Sequence, residues 1–149
     1  MRALAFFLPG RVETLTGGYE YDRQVIAGLR TRGWRVSVTE LDASFPFPTP
    51  AALADAAVRL AAEADDALVL VDGLAMGAMP EVIEREHRRL AIVALVHHPL
   101  GAETGLDSAR SAWLFASERR SLACARLVVV TSHATADTVA AMEIGRAHV

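Results

Sequence analysis

Apolar residues in this chain fall alternately into short continuous runs and into stripes at helical spacing. Residues 3–8 (Ala-Leu-Ala-Phe-Phe-Leu) form a run broken by Pro9-Gly10, which reads as a buried strand. Over 19–32, Val25, Ile26 and Leu29 share one helical face before Gly33 stops the helix. Residues 34–39 alternate apolar and polar with period two, as a strand nearer a sheet edge does. Pro46, Pro48 and Pro50 punctuate the next loop, and Leu53, Ala57, Leu60, Ala61 and Ala64 lay a stripe along a helix over 51–64. A third strand over 67–71 is closed by Asp72-Gly73, a helix opens at Pro80 and runs to about 89, and 91–96 reads as a fourth buried strand. Asp107 or Ser108 can cap a helix to about 125, 127–130 is a fifth strand, and Ser132 can cap one more helix. Strands alternating with helices predict an α/β fold, a doubly wound, Rossmann-like parallel sheet with right-handed crossovers. In such a sheet we expect the first and fourth strands to be neighbours where strand order reverses, so that the loops after them open onto one ligand-binding crevice.

Composition narrows the reading. With 149 residues, 52% hydrophobic and 22% charged, the chain has enough apolar material for one domain with a real core and too little for two ordinary ones. A net charge of -3, with basic residues scattered through the helices, gives no footprint for a phosphate backbone, so no nucleic acid partner is expected. The longest apolar runs fall far short of a bilayer span, and the amino-terminal run enters a glycine turn without a signal-peptide cleavage pattern. These features place the chain in the cytoplasm without a transmembrane segment, and leave peripheral membrane contact open. Cys124 is the single cysteine, which excludes an internal disulfide and a thiolate metal cluster, and it reads as a small packing residue. The last seven residues, Glu143-Ile144-Gly145-Arg146-Ala147-His148-Val149, can be encoded by GAG ATC GGA AGA GCA CAC GTC, which contains the start of a widely used sequencing adapter. On that reading 1–142 is a native Rossmann-like domain and 143–149 an artefact to be kept out of fold reasoning.

Two loops carry the candidate chemistry. Thr16-Gly17-Gly18-Tyr19 places adjacent glycines at a helix entrance, where the backbone can approach a ligand closely and free N–H groups face a diphosphate at the positive end of the helix dipole; the competing reading is a simple turn. The three-glycine dinucleotide spacing is absent and the loop from Pro9 to Thr16 is long, so an NAD site is disfavoured although Glu40 lies at a suitable distance downstream. His97-His98-Pro99 follows the fourth strand directly. A histidine there can hydrogen-bond a sugar hydroxyl or phosphate oxygen, or merely satisfy backbone groups, while Pro99 and Gly101 hold the loop in a non-helical shape. Zinc would need a third ligand that only Glu103 or Asp72 could supply, so no metal site is expected. Asp72 occupies the place of a phosphoacceptor in a phosphoreceiver domain, but the first strand ends in Leu8-Pro9-Gly10 without the acidic residues that hold magnesium there, which favours a turn role for Asp72-Gly73. Glu118-Arg119-Arg120 and Glu84-Arg85-Glu86 read as solvated helix faces, and Trp113 with Phe115 as helix packing.

The order of Thr16-Gly17-Gly18, Asp72-Gly73-Leu74, Val96-His97-His98-Pro99-Leu100, Glu103-Thr104-Gly105-Leu106 and Val128-Val129-Val130-Thr131-Ser132 resembles the amino-terminal domain of GT-B fold glycosyltransferases of family 4 over most of 1–142. The resemblance implies retaining transfer of a hexosyl group from a nucleotide-sugar donor to an acceptor, with no bound metal and no cofactor beyond the donor substrate. It implies that Gly17 and Gly18 meet the donor diphosphate and that His97, with His98 as the alternative one register away, lines the sugar pocket as the catalytic-site histidine. Glu103 and Thr104 would lie on the acceptor side, and Thr131 and Ser132 at a strand end facing the cleft, with helix capping as the alternative for the latter pair. The family's carboxy-terminal donor-binding domain, with its glutamate pair, is absent from this sequence, so the resemblance describes a truncated enzyme. A fragment of that kind is expected to be inactive alone and to expose an unpaired sheet edge and an apolar face. A free-standing doubly wound binding or signalling module is the alternative.

Overall fold

The computed structural model describes residues 2–144 and the backbone of Ala147–His148. Six parallel strands form one sheet: β1 (Ala3–Pro9), β2 (Arg35–Leu41), β3 (Leu68–Asp72), β4 (Ala91–Val96), β5 (Leu127–Val130) and the two-residue β6 (Ala147–His148). Six helices connect them: α1 (Gly17–Thr31), α2 (Pro50–Ala61), the single turn α3 (Gly73–Met76), α4 (Pro80–Glu86), α5 (Ser108–Leu122) and α6 (His133–Ala141). The α/β, doubly wound, Rossmann-like architecture is as the sequence pattern predicts.

The strand order is β2-β1-β3-β4-β5-β6, which corrects one expectation. β1 lies between β2 and β3, so order reverses between β1 and β3, and the fourth strand is one place removed from the first. Strand adjacency is set by which edges the crossovers reach, and the pattern within each strand carries no such information. The crevice therefore opens above β1 and β3, and the end of β4 forms its far wall.

Alternation within the strands divides the core in two. Ala5 and Phe7 of β1, with Val69, Val71, Ile92, Ala94 and Val96, face α2 to α6, where Leu60, Met76, Ile83, Leu114, Leu122 and Val139 meet them. Leu4, Phe6 and Leu8 face the opposite way, with Leu70 and Leu95, toward Ile26 of α1. One helix covers that second face. A shallow apolar cavity of about 170 Å³ lined by Val25, Leu70, Leu95 and Val129 is left beside it.

Several helix ends follow local rules. Asp107 accepts from the Arg110 amide at 2.7 Å and Ser132 from the Thr135 amide at 3.2 Å, so both predicted caps form. α4 stops at Glu86, before the predicted 89, and Arg89 beyond it donates to the carbonyls of Leu60 in the last turn of α2 and of Glu63 just past it. The tail from Gly145 onward lies outside the described residues except for the backbone of Ala147–His148, which pairs with Val128 and Val129. Main-chain pairing is independent of side chains and fits either origin of that segment.

No helix among the described residues is long and apolar enough to cross a membrane.

Candidate functional site

The chain leaves β1 at Pro9-Gly10, makes a loop over 11–16 and enters α1 at Gly17. Three side chains fix this loop. The Tyr19 hydroxyl donates to the Pro9 carbonyl, the Arg23 guanidinium to the carbonyls of Val12 and Thr14 at 2.7 and 2.8 Å, and the Val12 amide donates to Glu40 at 2.7 Å. Glu40 thus serves the loop. At the helix entrance Thr16 is extended and its side chain makes no capping bond, which leaves the first-turn amides of α1 uncapped. A Cβ on Gly18 would lie 3.6 Å from Cδ2 of His97, so the glycine leaves about a side chain's width between the helix backbone and the imidazole, whereas Gly17 faces open space.

The two loops meet across a cavity of about 190 Å³ at the carboxyl edge of the sheet, lined by Thr16, Gly18, Asp72, His97, His98 and Glu103 among others. The convergence expected from the sequence is present, although strand order differs.

His97 is held by two aspartates. Its Nε2 lies 2.9 Å from Oδ1 of Asp22 and 3.3 Å from Oδ2 of Asp72, while Oδ1 of Asp72 caps α3 by accepting from the Leu74 amide at 2.9 Å. The Asp22 side chain is wholly buried and that of Asp72 nearly so, and the imidazole is one-fifth exposed. Burial raises the Asp22 carboxyl to about 7, and the adjacent Asp72 adds to the rise, more than the hydrogen bond with His97 takes back. Burial works against a charge on His97, but its bonds to Asp22 and Asp72 outweigh this and raise the ring to about 9. Burial also opposes charge on Asp72, which the bonds with His97, Asp22 and the Leu74 amide nonetheless hold below the usual carboxylate range. The two carboxylates thus favour a charged imidazole, while burial and the neighbouring Asp72 make Asp22 the harder of the two aspartates to ionise.

The three side chains offer ligand atoms within 4.8 Å of one another, close enough to surround a cation. The 2.9 Å approach of Nε2 to Asp22 is a hydrogen bond, and Asp72 at 3.3 Å stands beside it as an ion-pair partner, which accounts for the cluster without a metal. Asp72 keeps the capping role its Asp-Gly position predicts and adds a contact to His97. With both its oxygens engaged and its surface 3% exposed, it is not disposed as a phosphoacceptor.

The other predicted residues are placed as follows. His98 and Glu103 are exposed on the pocket rim. Thr104 is exposed and lies outside the lining, and Ser132 acts as the α6 cap, its competing reading. Thr131 directs its hydroxyl at the His97 carbonyl, 3.4 Å away, and so braces the histidine from behind. Leu100–Ala102 forms one 3-10 turn, so Gly101 does not keep the loop non-helical. A Cβ there would come within 2.3 Å of the Phe115 ring, and close approach is why glycine is needed.

Two buried carboxylates escaped the sequence reading. Asp22 stands four residues after Gly18 and four before Ile26, on the inward face of α1, and a carboxylate on that face was the available signal. Glu118, read as solvated, lies on the stripe from Leu114 to Leu122 and is fully buried. Its Oε1 accepts from the Leu100 amide at 3.2 Å, its Oε2 has no partner among the described residues, and burial raises it to about 7. Of the remaining charges of those segments, Arg120 of α5 pairs with Glu81 and Glu84 of α4, Arg85 donates to the Glu81 carbonyl of its own helix, and Glu86 pairs with Arg89. Trp113 also departs from expectation: it is 56% exposed and, with Phe47, flanks a separate groove of about 580 Å³ between α2, α4 and α5. That groove is larger than the histidine pocket but lacks a comparable cluster of interacting titratable groups. Phe115 and Cys124 pack against the core as predicted.

The chain matches no protein-family model and no curated protein sequence.

Proposed function

We propose that this chain is the acceptor-side half of a glycosyltransferase, similar to the retaining GT-B enzymes of family 4, and that the pocket between α1 and the end of β4 receives the sugar diphosphate of a nucleotide-sugar donor. The observation that carries the reading is that the α1 entrance at Gly18 and His97 line one small cavity, with no side chain on Gly18 to fill the space beside the imidazole. Uncapped amides at a helix entrance and an imidazole on one small cavity form a preorganised donor set for the negative charge that develops as a nucleoside diphosphate departs. Glu103 and His98 on the rim are then placed to meet hydroxyl groups, and no metal is required. A cytoplasmic location, with the acceptor delivered in solution or from a membrane surface, belongs to the same reading. The alternative, a free-standing signalling module, loses its most specific support because Asp72 is buried and fully engaged.

Resequencing the encoding DNA from the Met142 codon onward tests this. A frame that continues into a second Rossmann-like pattern with a glutamate pair supports the proposal; a native stop directly after Val149 overturns it in favour of the binding module.

A further inference from the structure

His97 meets two carboxylates through one ring nitrogen. A neutral imidazole needs a single acceptor to fix its orientation. Two buried carboxylates around one Nε2–H place more negative charge beside the ring than a neutral tautomer can balance. The Tyr21 ring meets the imidazole edge-on with centroids 5.4 Å apart and braces one flank, while on the other Gly18 leaves a space that a Cβ would fill at 3.6 Å from Cδ2. A flip about the Cβ–Cγ bond would break both carboxylate contacts. Nδ1 has no hydrogen-bond partner among the described residues and is not among the buried unpartnered atoms, so it is the ring nitrogen left to the pocket.

We propose that Asp22 is a positioning residue: together with Asp72 it holds Nε2–H of His97 inward and keeps a proton on Nδ1, so that the ring meets its ligand as a hydrogen-bond donor and not as a proton acceptor. This rests on the pocket being a substrate site, and it specifies what the substrate must present there: an anionic or hydroxyl oxygen. A histidine held by one carboxylate commonly serves as a general base. Here the second carboxylate stabilises the charged ring, which is then unable to take a proton at neutral pH. The other titratable groups around it do not reverse this. Tyr19 of α1 is engaged with the Pro9 carbonyl and is raised, chiefly by burial, so it stays neutral; His98 and Glu103 stand at the exposed rim.

The test is the imidazole ¹⁵N spectrum of the full chain from pH 5 to 10, with inorganic diphosphate as the probe. In the wild type both nitrogens of His97 carry protons at pH 7.5 and the ring titrates near 9. Asp22→Asn keeps an acceptor for Nε2–H but removes the charge, so the titration falls by a unit or more while the melting temperature holds. Its affinity for diphosphate drops about tenfold at pH 8 and is unchanged at pH 5.5, where the ring is charged in both proteins, a split that a purely structural role does not produce. A wild-type His97 that titrates between 6 and 7, or that loses its Nε2 proton to one equivalent of Zn²⁺, overturns the proposal without need of any variant. A ring that titrates near 9 and responds to Asp22→Asn, yet whose Nδ1 signal ignores diphosphate, upholds the role of Asp22 and counts against the sugar-diphosphate reading of the pocket.

Discussion

Replacing Glu118 with Gln changes the chain's pH response in a way that the structure fixes in sign and rough size. The carboxyl is fully buried under the Leu100 turn, one oxygen is without a partner among the described residues, and its pKa in the folded chain is about 7 against 4.5 for an ordinary glutamate. Between those values the folded chain holds a proton that the unfolded chain has released, so stability is lost as pH rises through this window. Each pH unit costs about 1.4 kcal/mol, or about 3 kcal/mol from pH 4.5 to above 7. Glutamine still accepts from the Leu100 amide and does not ionise, but its amide group inherits the unpartnered position at a cost of about 1–2 kcal/mol. Glu118→Gln is therefore expected to be as stable as the wild type or slightly less so at pH 5, and more stable by about 1–2 kcal/mol at pH 8. Urea denaturation of both proteins at pH 5, 6, 7 and 8 measures this. Asp22 and His97 also titrate, and they cancel in the difference between the two proteins because they are unchanged. A difference that stays constant from pH 5 to 8 would refute the reasoning.

Three substitutions separate packing from ligand roles. Gly101→Ala drives a Cβ into the Phe115 ring and is expected to cost about 1–3 kcal/mol in chemical denaturation; a cost below about 0.5 kcal/mol would show that the ring yields freely. Ser132→Ala removes the α6 cap at a cost of about 1 kcal/mol and leaves nucleotide-sugar binding unchanged; a loss of binding with unaltered stability would return Ser132 to the cleft. Gly18→Ala places a Cβ at ordinary contact distance from His97, so stability should move by less than about 0.5 kcal/mol. Calorimetric titration with diphosphate should nonetheless weaken about tenfold, ~1.4 kcal/mol, and unchanged affinity would reduce the glycine to a turn residue.

Helical stripes and short apolar runs located every helix longer than one turn and the strands β1 to β5, because both faces of this sheet are covered and its inner strands are apolar throughout; which way Phe7 and Val71, or Leu4, Phe6 and Leu8, face came from the fold. Caps at Asp107 and Ser132 were readable for the same local reason, one short polar side chain at a helix start. Strand order was not readable, since it depends on which sheet edge each crossover reaches. At the site, the glycine pair and His97 stood out by residue type and position. Asp22 and Glu118 did not, because a carboxylate on a helix is usually solvated. Only their spacing, four residues from Gly18 and Ile26 and four from Leu114 and Leu122, marks them as facing inward. Burial turns these ordinary residues into perturbed ones, and burial belongs to the assembled fold.

The central claim is that Gly17, Gly18 and His97 form one binding site for the diphosphate of a nucleotide sugar. Titrating the ¹⁵N-labelled chain with a nucleotide sugar at millimolar concentration, and following backbone amides together with the His97 ring, tests it most directly. The account predicts that the amides of Gly17 and Gly18 and the Nδ1 proton of His97 shift along one saturating curve, and that Gly18→Ala weakens all three. Shifts confined to the groove beside Trp113, or none near α1 at saturation, would contradict it.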